Sequence, residues 1–253
     1  MNRSINTEGI VLKCSAFHET DRLLTLLLPD RKVAAIAHGA NKSKSSLAAA
    51  TQPLSRAQFL LYRGRQLYTV QQAAILSSAQ RLAGKVGLFA IGEYLADLID
   101  HLLEEGWEEP LEGEALFRLL AEALDALAEG KDPAMVARIC EAQVLRWSGL
   151  MPLLTACVRC GTQEALEAFA PAEGGLLCHR CREQVPQALP VSREQLLHFS
   201  RLFLASASRL GRVHLNTATV AFLDTALTQL LQTQLKLALP SRTIAFQLLE
   251  KSR

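Results

Sequence analysis

The sequence predicts an α+β protein: an N-terminal β-barrel of the OB type, then an α-helical domain interrupted by a small four-cysteine module. Three observations predict it. Five short runs rich in β-branched, aromatic or aliphatic residues fill the first 80 positions. From Val86 onward apolar residues recur at three- and four-residue steps, the spacing of helix faces. Between Cys157 and Cys181 four of the six cysteines are spaced C-x2-C-x17-C-x2-C. The expected division is a domain over 1–80 and a helical domain over 81–253, with the cysteine module inserted at about 153–188.

The five N-terminal runs are "EGIVLKCSAF", "RLLTLLLPD", "RKVAAIAHG", "LSRAQFLLYRG" and "LYTVQQAAIL". Pro29-Asp30, the "HGANKSKSS" segment and Gly64 separate several of them, as turn residues separate strands. The second run is leucine-rich and reads equally as a helix. Five strands in about 75 residues, with no helical segment of useful length between them, suit a small closed barrel better than a sandwich.

The helical part begins with "VGLFAIGEYLADLIDHLLEEG", where Leu88, Ile91, Leu95, Leu98 and Leu102 form an apolar stripe. "GEALFRLLAEALDALAEG" and "DPAMVARICEAQVLRWSGL" follow, the latter with Asp132 as N-cap and Pro133 at the first helical position. Beyond the cysteines come "SREQLLHFSRLFLASASRL", with Ser192 as N-cap, then "NTATVAFLDTALTQLLQTQL" and "SRTIAFQLLEK".

The N-terminus has no apolar block followed by a small-residue cleavage site, and no run of about 18 apolar residues occurs. A cytoplasmic protein with reduced thiols is the expectation. In that setting Cys157, Cys160, Cys178 and Cys181 read as the ligands of one structural Zn²⁺ per chain, since four thiolates leave no position for a reacting water. Gly161 follows the first pair where a positive φ is needed, and Gly174-Gly175 form a turn. His179 lies between the second pair as a solvated neighbour. Cys14 and Cys140 read as buried thiols.

Charge is segregated. Residues 1–80 carry ten Lys/Arg against four Asp/Glu, residues 81–141 five against fourteen, and the remainder twelve against seven. A basic head suggests a polyanionic partner. An OB barrel binds single strands through a basic groove with aromatic platforms. Candidate contacts are Arg22, Arg31, Lys32, Lys42, Lys44, Arg56, Arg63 and Arg65, with Tyr62 and Tyr68 as stacking partners. Enzyme signatures are missing: none of the six histidines starts an H-x-E or H-E-x-x-H motif, and there is no G-x-S-x-G or G-x-x-x-x-G-K-[ST]. The acidic pairs Glu104-Glu105 and Glu108-Glu109 read as solvated charge at a helix end. A zinc-ribbon regulator binding duplex DNA sequence-specifically is the alternative.

The order of motifs is similar to that of the RecO family of bacterial recombination mediators. The elements that carry it are Glu8-Gly9-Ile10-Val11-Leu12, Glu19-Thr20-Asp21-Arg22, Gly39-Ala40 with Lys44-Ser45, Gln52-Pro53, and Tyr62-Arg63-Gly64-Arg65. The four-cysteine module between helices resembles the zinc-bearing branch of that family. His38 departs from the pattern, standing where the loop is usually basic. The resemblance implies a non-enzymatic DNA repair protein of the RecF pathway. It would bind single- and double-stranded DNA through the OB domain and anneal complementary strands. It would interact with RecR and with the acidic, Phe-ended tail of single-stranded DNA-binding protein, and so help load RecA. That tail would meet an apolar pocket rimmed by Arg193, Arg201, Arg209 and Arg212. A nucleoid location in the cytoplasm follows, with no membrane partner.

Overall fold

A computed structural model describes residues 4–65, 67–82, 84–103, 110–211 and 213–252. Glu104, Glu105, Glu108, Glu109 and Arg212 lie outside the described residues. The chain forms two units, one of residues 1–133 with 239–253 and one of residues 134–238.

In the first unit, β1 (Ser4–Phe17), β2 (Asp21–Leu27), β3 (Lys32–Ala37), β4 (Arg56–Arg63) and β5 (Tyr68–Ser77) close a barrel in the order β1-β2-β3-β5-β4. This is the OB arrangement that the five runs predict. Every neighbouring pair is antiparallel except β3 and β5, whose parallel contact covers only Ala35↔Tyr68 and Ile36↔Thr69. The long β1 serves two partners. Ser4–Ile10 pairs with β4 and Ile10–Phe17 with β2, and an irregular register between Val11 and Lys13 bends the strand from one to the other.

Period-two burial fills the barrel. On β4, Ala57, Phe59 and Leu61 are buried while Gln58, Leu60 and Tyr62 are half-buried. The leucine-rich second run is a strand because only eight residues separate the β1–β2 turn from Pro29, too few for a stable helix. Its Leu24 and Leu26 join Val11, Phe59, Leu61 and Val70 in one core.

Three helices complete this unit: α1 (Val86–Leu102), α2 (Pro110–Ala128) and α7 (Pro240–Lys251). Ile91, Leu95 and Leu98 of the expected stripe are buried on α1, and Leu88 and Leu102 are half-buried at its ends. Asp100 on α1 ties the helix to the barrel. It accepts from Lys32 Nζ at 3.0 Å and pairs with Lys13 Nζ at 2.7 Å, and Lys32 also donates to the Asp100 carbonyl at 2.8 Å.

The second unit contains α3 (Pro133–Trp147), β6 (Leu153–Cys157), β7 (Leu166–Ala170), β8 (Gly175–Cys178), the short α4 (His179–Arg182), β9 (Leu189–Pro190), α5 (Arg193–Leu202) and α6 (Thr217–Gln234). Helix α3 starts at Pro133 as read, and Ala134–Leu145 are all buried, polar residues included. Gln143 satisfies its buried amide by donating to the carbonyls of Phe203 at 3.0 Å and Ala205 at 2.9 Å. Ser192 caps α5 in a reciprocal box with Gln195.

The four strands form a sheet in the order β6-β8-β7-β9. Phe169 on β7 stacks edge-on against Phe199 of α5 at 5.1 Å and Phe222 of α6 at 6.4 Å, so the cysteine module is docked on these helices through an aromatic core. Cys140 is buried, as expected. Cys14 is only half-buried, packed against the barrel core, because it lies on the curving second half of β1. Among the described residues no helix is long and apolar enough to cross a membrane.

Candidate metal centre and nucleic-acid surface

Two loops of one sheet bring the four cysteines together. Cys157 ends β6, Cys160 lies in the turn after it, Cys178 ends β8, and Cys181 sits on α4. Their sulfurs all lie within 4.8 Å of one another. Cys160 Sγ and Cys178 Sγ are 3.7 Å apart. A tetrahedron of thiolates at the usual zinc–sulfur distance of about 2.3 Å has S···S edges of about 3.8 Å. The four thiols could therefore hold a metal ion, and their spacing fits zinc. His179 takes no part: its Nδ1 lies 3.0 Å from Glu167 Oε1, and the ring is exposed.

The backbone builds this geometry. The first knuckle closes through Gly161 N–H to the Cys157 carbonyl at 2.8 Å and Cys157 N–H to the Thr162 carbonyl at 2.7 Å, with Gly161 at φ +75°. That conformation is one glycine adopts without steric cost. The second glycine requirement is close approach. A Cβ on Gly175 would stand 2.9 Å from the Leu153 carbonyl oxygen and 3.2 Å from Val158 Cβ, so β6 and β8 meet only because residue 175 has none. Burial pushes the Cys157 thiol up, but amide N–H groups of Cys178, Cys160 and Arg159 outweigh it and bring it down to about 6. Cys181 goes the other way, pushed up to about 12 by burial and then by the neighbouring sulfurs. Opposite shifts are what thiols sharing one charge site produce: the first proton leaves readily and the last is held. A bound cation removes that repulsion.

The barrel carries the basic candidates, and the structure divides them. Lys32 is 7% exposed and engaged by Asp100. Arg56 faces Glu8 and Asp125, each at 3.1 Å. Arg31 pairs with Asp30 at 2.6 Å. Arg22 is a scaffold: it donates to Asn41 Oδ1 at 2.6 Å, the Ala48 carbonyl at 2.8 Å and Thr51 Oγ1 at 2.9 Å. A phosphate contact from any of these four would compete with a bond already made.

Lys42, Lys44, Arg63 and Arg65 are exposed, and none makes an ion pair among the described residues. The register gathers them at one end of the barrel. Arg22↔Ala37 sets the start of β2 beside the end of β3, while Ala35↔Tyr68 and Arg63↔Tyr68 set the start of β5 beside the ends of β3 and β4. The β1–β2 turn, the start of the 38–55 segment and the β4–β5 turn therefore share that end, and Asn41 N–H donates to the Thr20 carbonyl at 2.8 Å to join two of them. In OB barrels these turns flank the nucleic-acid face. Tyr62 and Tyr68 are half-buried, and Tyr68 packs against the core, which leaves less of its ring for stacking.

Residues missing from the candidate contacts hold this end in shape. Asp21 accepts from the Gly39 amide at 2.8 Å, lies 2.6 Å from His38 Nδ1 and accepts from Thr20 Oγ1 at 3.0 Å. Those bonds, Gly39 first and His38 next, bring its carboxyl down to about 2. Asp21 and Arg22, adjacent in sequence, thus pin the two ends of the 38–51 segment. The sequence signal for them is the acid–base pair at the head of β2 followed by Gly39 and Asn41, which composition alone does not reveal as one network.

Comparison with known proteins bears on this arrangement. Residues 1–79 match the family described as "Recombination protein O N terminal", and residues 87–243 match "Recombination protein O C terminal". This chain belongs to the RecO family. It is 35% identical to the DNA repair protein RecO of Bacillus subtilis over 216 residues, 85% of this chain and 83% of the relative. It is 36% identical to that of Desulforudis audaxviator over 219 residues, 86% of each, and 36% identical to that of Moorella thermoacetica over 239 residues, 93% of this chain and 88% of the relative. The comparisons do not favour the zinc-ribbon regulator. Within this RecO-family chain, Thr20, Asp21, Arg22 and Gly39 of those motifs have a physical reason: they are the bonded frame of the basic loop.

Proposed function

We propose that this RecO-family chain is a non-enzymatic DNA repair protein of the RecF pathway. In this reading residues 1–80 bind single- and double-stranded DNA, and the protein anneals complementary strands without nucleotide hydrolysis. With RecR it helps load RecA on strands coated by single-stranded DNA-binding protein. The observation that carries the reading is the end of an OB barrel where Lys42, Lys44, Arg63 and Arg65 stand exposed without acidic partners among the described residues. Such a surface screens the repulsion between two phosphate backbones and holds them near each other. Cys157, Cys160, Cys178 and Cys181 would hold one Zn²⁺, which supplies a cross-link between the two knuckles and no chemistry on DNA. Arg193, Arg201 and Arg209 are exposed in the second unit, and Leu204, just past the end of α5 that carries Arg201, is 73% exposed. These residues suit the Phe-ended acidic tail of the coating protein. A cytoplasmic, nucleoid-associated location accompanies this role.

The test is annealing of dye-labelled complementary strands, bare or coated with their own binding protein, without ATP. Acceleration on both is expected. No acceleration on either defeats the mediator reading, and acceleration on bare strands alone rejects the tail site while keeping the DNA surface. Replacing Lys42, Lys44, Arg63 and Arg65 together with Ala should flatten the salt dependence of single-strand binding by about 3, at roughly 0.7 per phosphate contact. An unchanged slope puts the DNA on another surface.

A further inference from the structure

Helix α1 is apolar on two faces. Ile91, Leu95 and Leu98 bury one stripe, and Val86, Phe89 and Ala90 begin a second. Helix α7 lies beside this second stripe. A Cβ on Gly87 would stand 2.9 Å from Leu249 Cα, so the two helices meet closely at one end, and at the other Ser241 Oγ donates to Asp97 Oδ2 at 2.6 Å. Between them runs a groove of about 500 Å³, walled by Phe89, Ala90 and Glu93 of α1 and by Ile244, Ala245 and Leu248 of α7. Both walls repeat at three- and four-residue steps, the spacing of one helix face. The rim holds large apolar side chains in water: Val86 is 62% exposed and Ile244 54%.

One charge sits in this apolar groove. Glu93 is the only charged residue between Val86 and Ala96, and its Oε1 is buried without a hydrogen bond among the described residues. A buried polar atom left unpaired costs free energy until a partner completes it. The chain's own charges do not complete this one. Burial first, and then the Asp97 carboxylate one turn along, push the Glu93 carboxyl up. Asp97 itself is well supplied, accepting from Ser241 and facing Lys13 Nζ at 3.3 Å. No cation among the described residues faces Glu93 in the same way.

We propose that the α1–α7 groove receives an amphipathic helix of a partner protein, with a lysine or arginine of that helix on Glu93. The shape selects a helix. From Val86 to Glu93 the α1 wall runs about 10 Å, two helical turns. Two such walls side by side form the seam into which a third helix lays apolar residues at i, i+3, i+4 and i+7. The small Ala90 and Ala245 on facing walls leave room for its ridge. The unpaired oxygen selects the charge. A helix uses its backbone N–H groups internally, so the donor is a side chain, and a buried carboxylate is met best by a cation. The same carboxylate repels a phosphate or an acidic tail. The groove is therefore separate in chemistry from the DNA surface and the tail site, and the proposal stands whether or not those readings do.

The experiment selects phage-displayed helical peptides of about four turns on the full chain, then measures the enriched ones by fluorescence anisotropy. Enriched peptides should carry one Lys or Arg with apolar residues three or four positions to either side. Replacing that cation with Met should weaken binding about tenfold, as expected for a hydrogen bond to a charged group. Glu93→Gln should erase the tenfold difference without lowering the melting temperature, and Ala90→Trp, which fills the groove, should abolish binding. A Phe-ended acidic peptide should not compete. The proposal is overturned by no enrichment, by enrichment of peptides without a cation, or by a cation effect that survives Glu93→Gln. Binding that Ala90→Trp leaves unchanged, or competition by the acidic peptide, also overturns it. So does displacement by an equal concentration of phenethylamine, which would make the groove a small-molecule site. A chain that dimerises in sedimentation and loses the dimer in Glu93→Gln would make the occupant a second copy and overturn it too.

Discussion

Lys32 separates a DNA contact from a structural tie, and Lys32→Met is the change that reads it. The substitution keeps the aliphatic stem packed and removes only the ammonium. In the folded chain the Lys32 side chain is 9% exposed, and its ammonium gives two bonds to Asp100, at 2.8 Å to the carbonyl and 3.0 Å to Oδ1. Orphaning a buried charge costs about 3–5 kcal/mol, but Asp100 keeps Lys13 at 2.7 Å and is itself partly open to water. Hydrogen bonds to a charged group contribute about 1.5–3 kcal/mol, so the expected loss is about 2 kcal/mol. For a chain of this size that lowers the melting temperature by roughly 4–8 °C. The effect should depend on pH. Burial pushes the Asp100 carboxyl up, but the bonds and charges of Lys13 and Lys32 hold it below its ordinary value, so its contribution is present at neutral pH and lost as pH falls through that lowered value. The wild-type and Lys32→Met melting curves, measured by circular dichroism from pH 7 down to pH 2, should therefore converge in acid. DNA binding measured in parallel should keep its salt slope. A flattened slope with an unchanged melting temperature would refute the reasoning and make Lys32 a phosphate contact.

Three further expectations follow from the same geometry. Cys178→Ser should reduce bound zinc, measured by elemental analysis, from one per chain toward none and lower the thermal stability with it, since structural zinc contributes on the order of 10–16 kcal/mol of apparent binding energy; wild-type protein purified without chelator that contains no zinc rejects the site. Gly175→Ala forces a methyl to 2.9 Å from the Leu153 carbonyl and should cost about 1–3 kcal/mol in chemical denaturation, while an Ala variant as stable as the wild type would mean that β6 and β8 separate freely. Asp21→Asn should lower the melting temperature at neutral pH and not below about pH 2: the carboxylate is held at about 2, so its contribution is present above the ordinary aspartate value and is lost as pH falls through about 2. A pH-independent difference between the two proteins would show that the charge of Asp21 is not what holds the 38–51 segment.

Much of the fold is legible because the signals are local. The alternation on β4, the Pro29-Asp30 stop after β2, Pro133 at the start of α3 and the Ser192 cap each depend on residues within one or two turns of each other. The four cysteines that could hold a metal are legible for the same reason, since a pair of cysteines with two residues between them already forms a knuckle. The candidate DNA contacts are legible only in part. Eight cations look alike in the chain, yet four are engaged inside the protein and four stand exposed.

What the sequence by itself determined is therefore the kind and order of elements, the cysteine cluster and the family, through patterns set by side-chain period and short spacing. The tertiary structure alone decided which charges remain available. Lys32 meets Asp100 across 68 residues, Arg56 meets Asp125 across 69, and Arg22 reaches Thr51 across 29. It also decided that β2 is a strand in a closed barrel, that α7 returns to α1, and that β5 runs on past β3. The physical reason is common to all of these. Ion pairing and strand pairing depend on distance in space, and only the folded chain sets which distant residues share it.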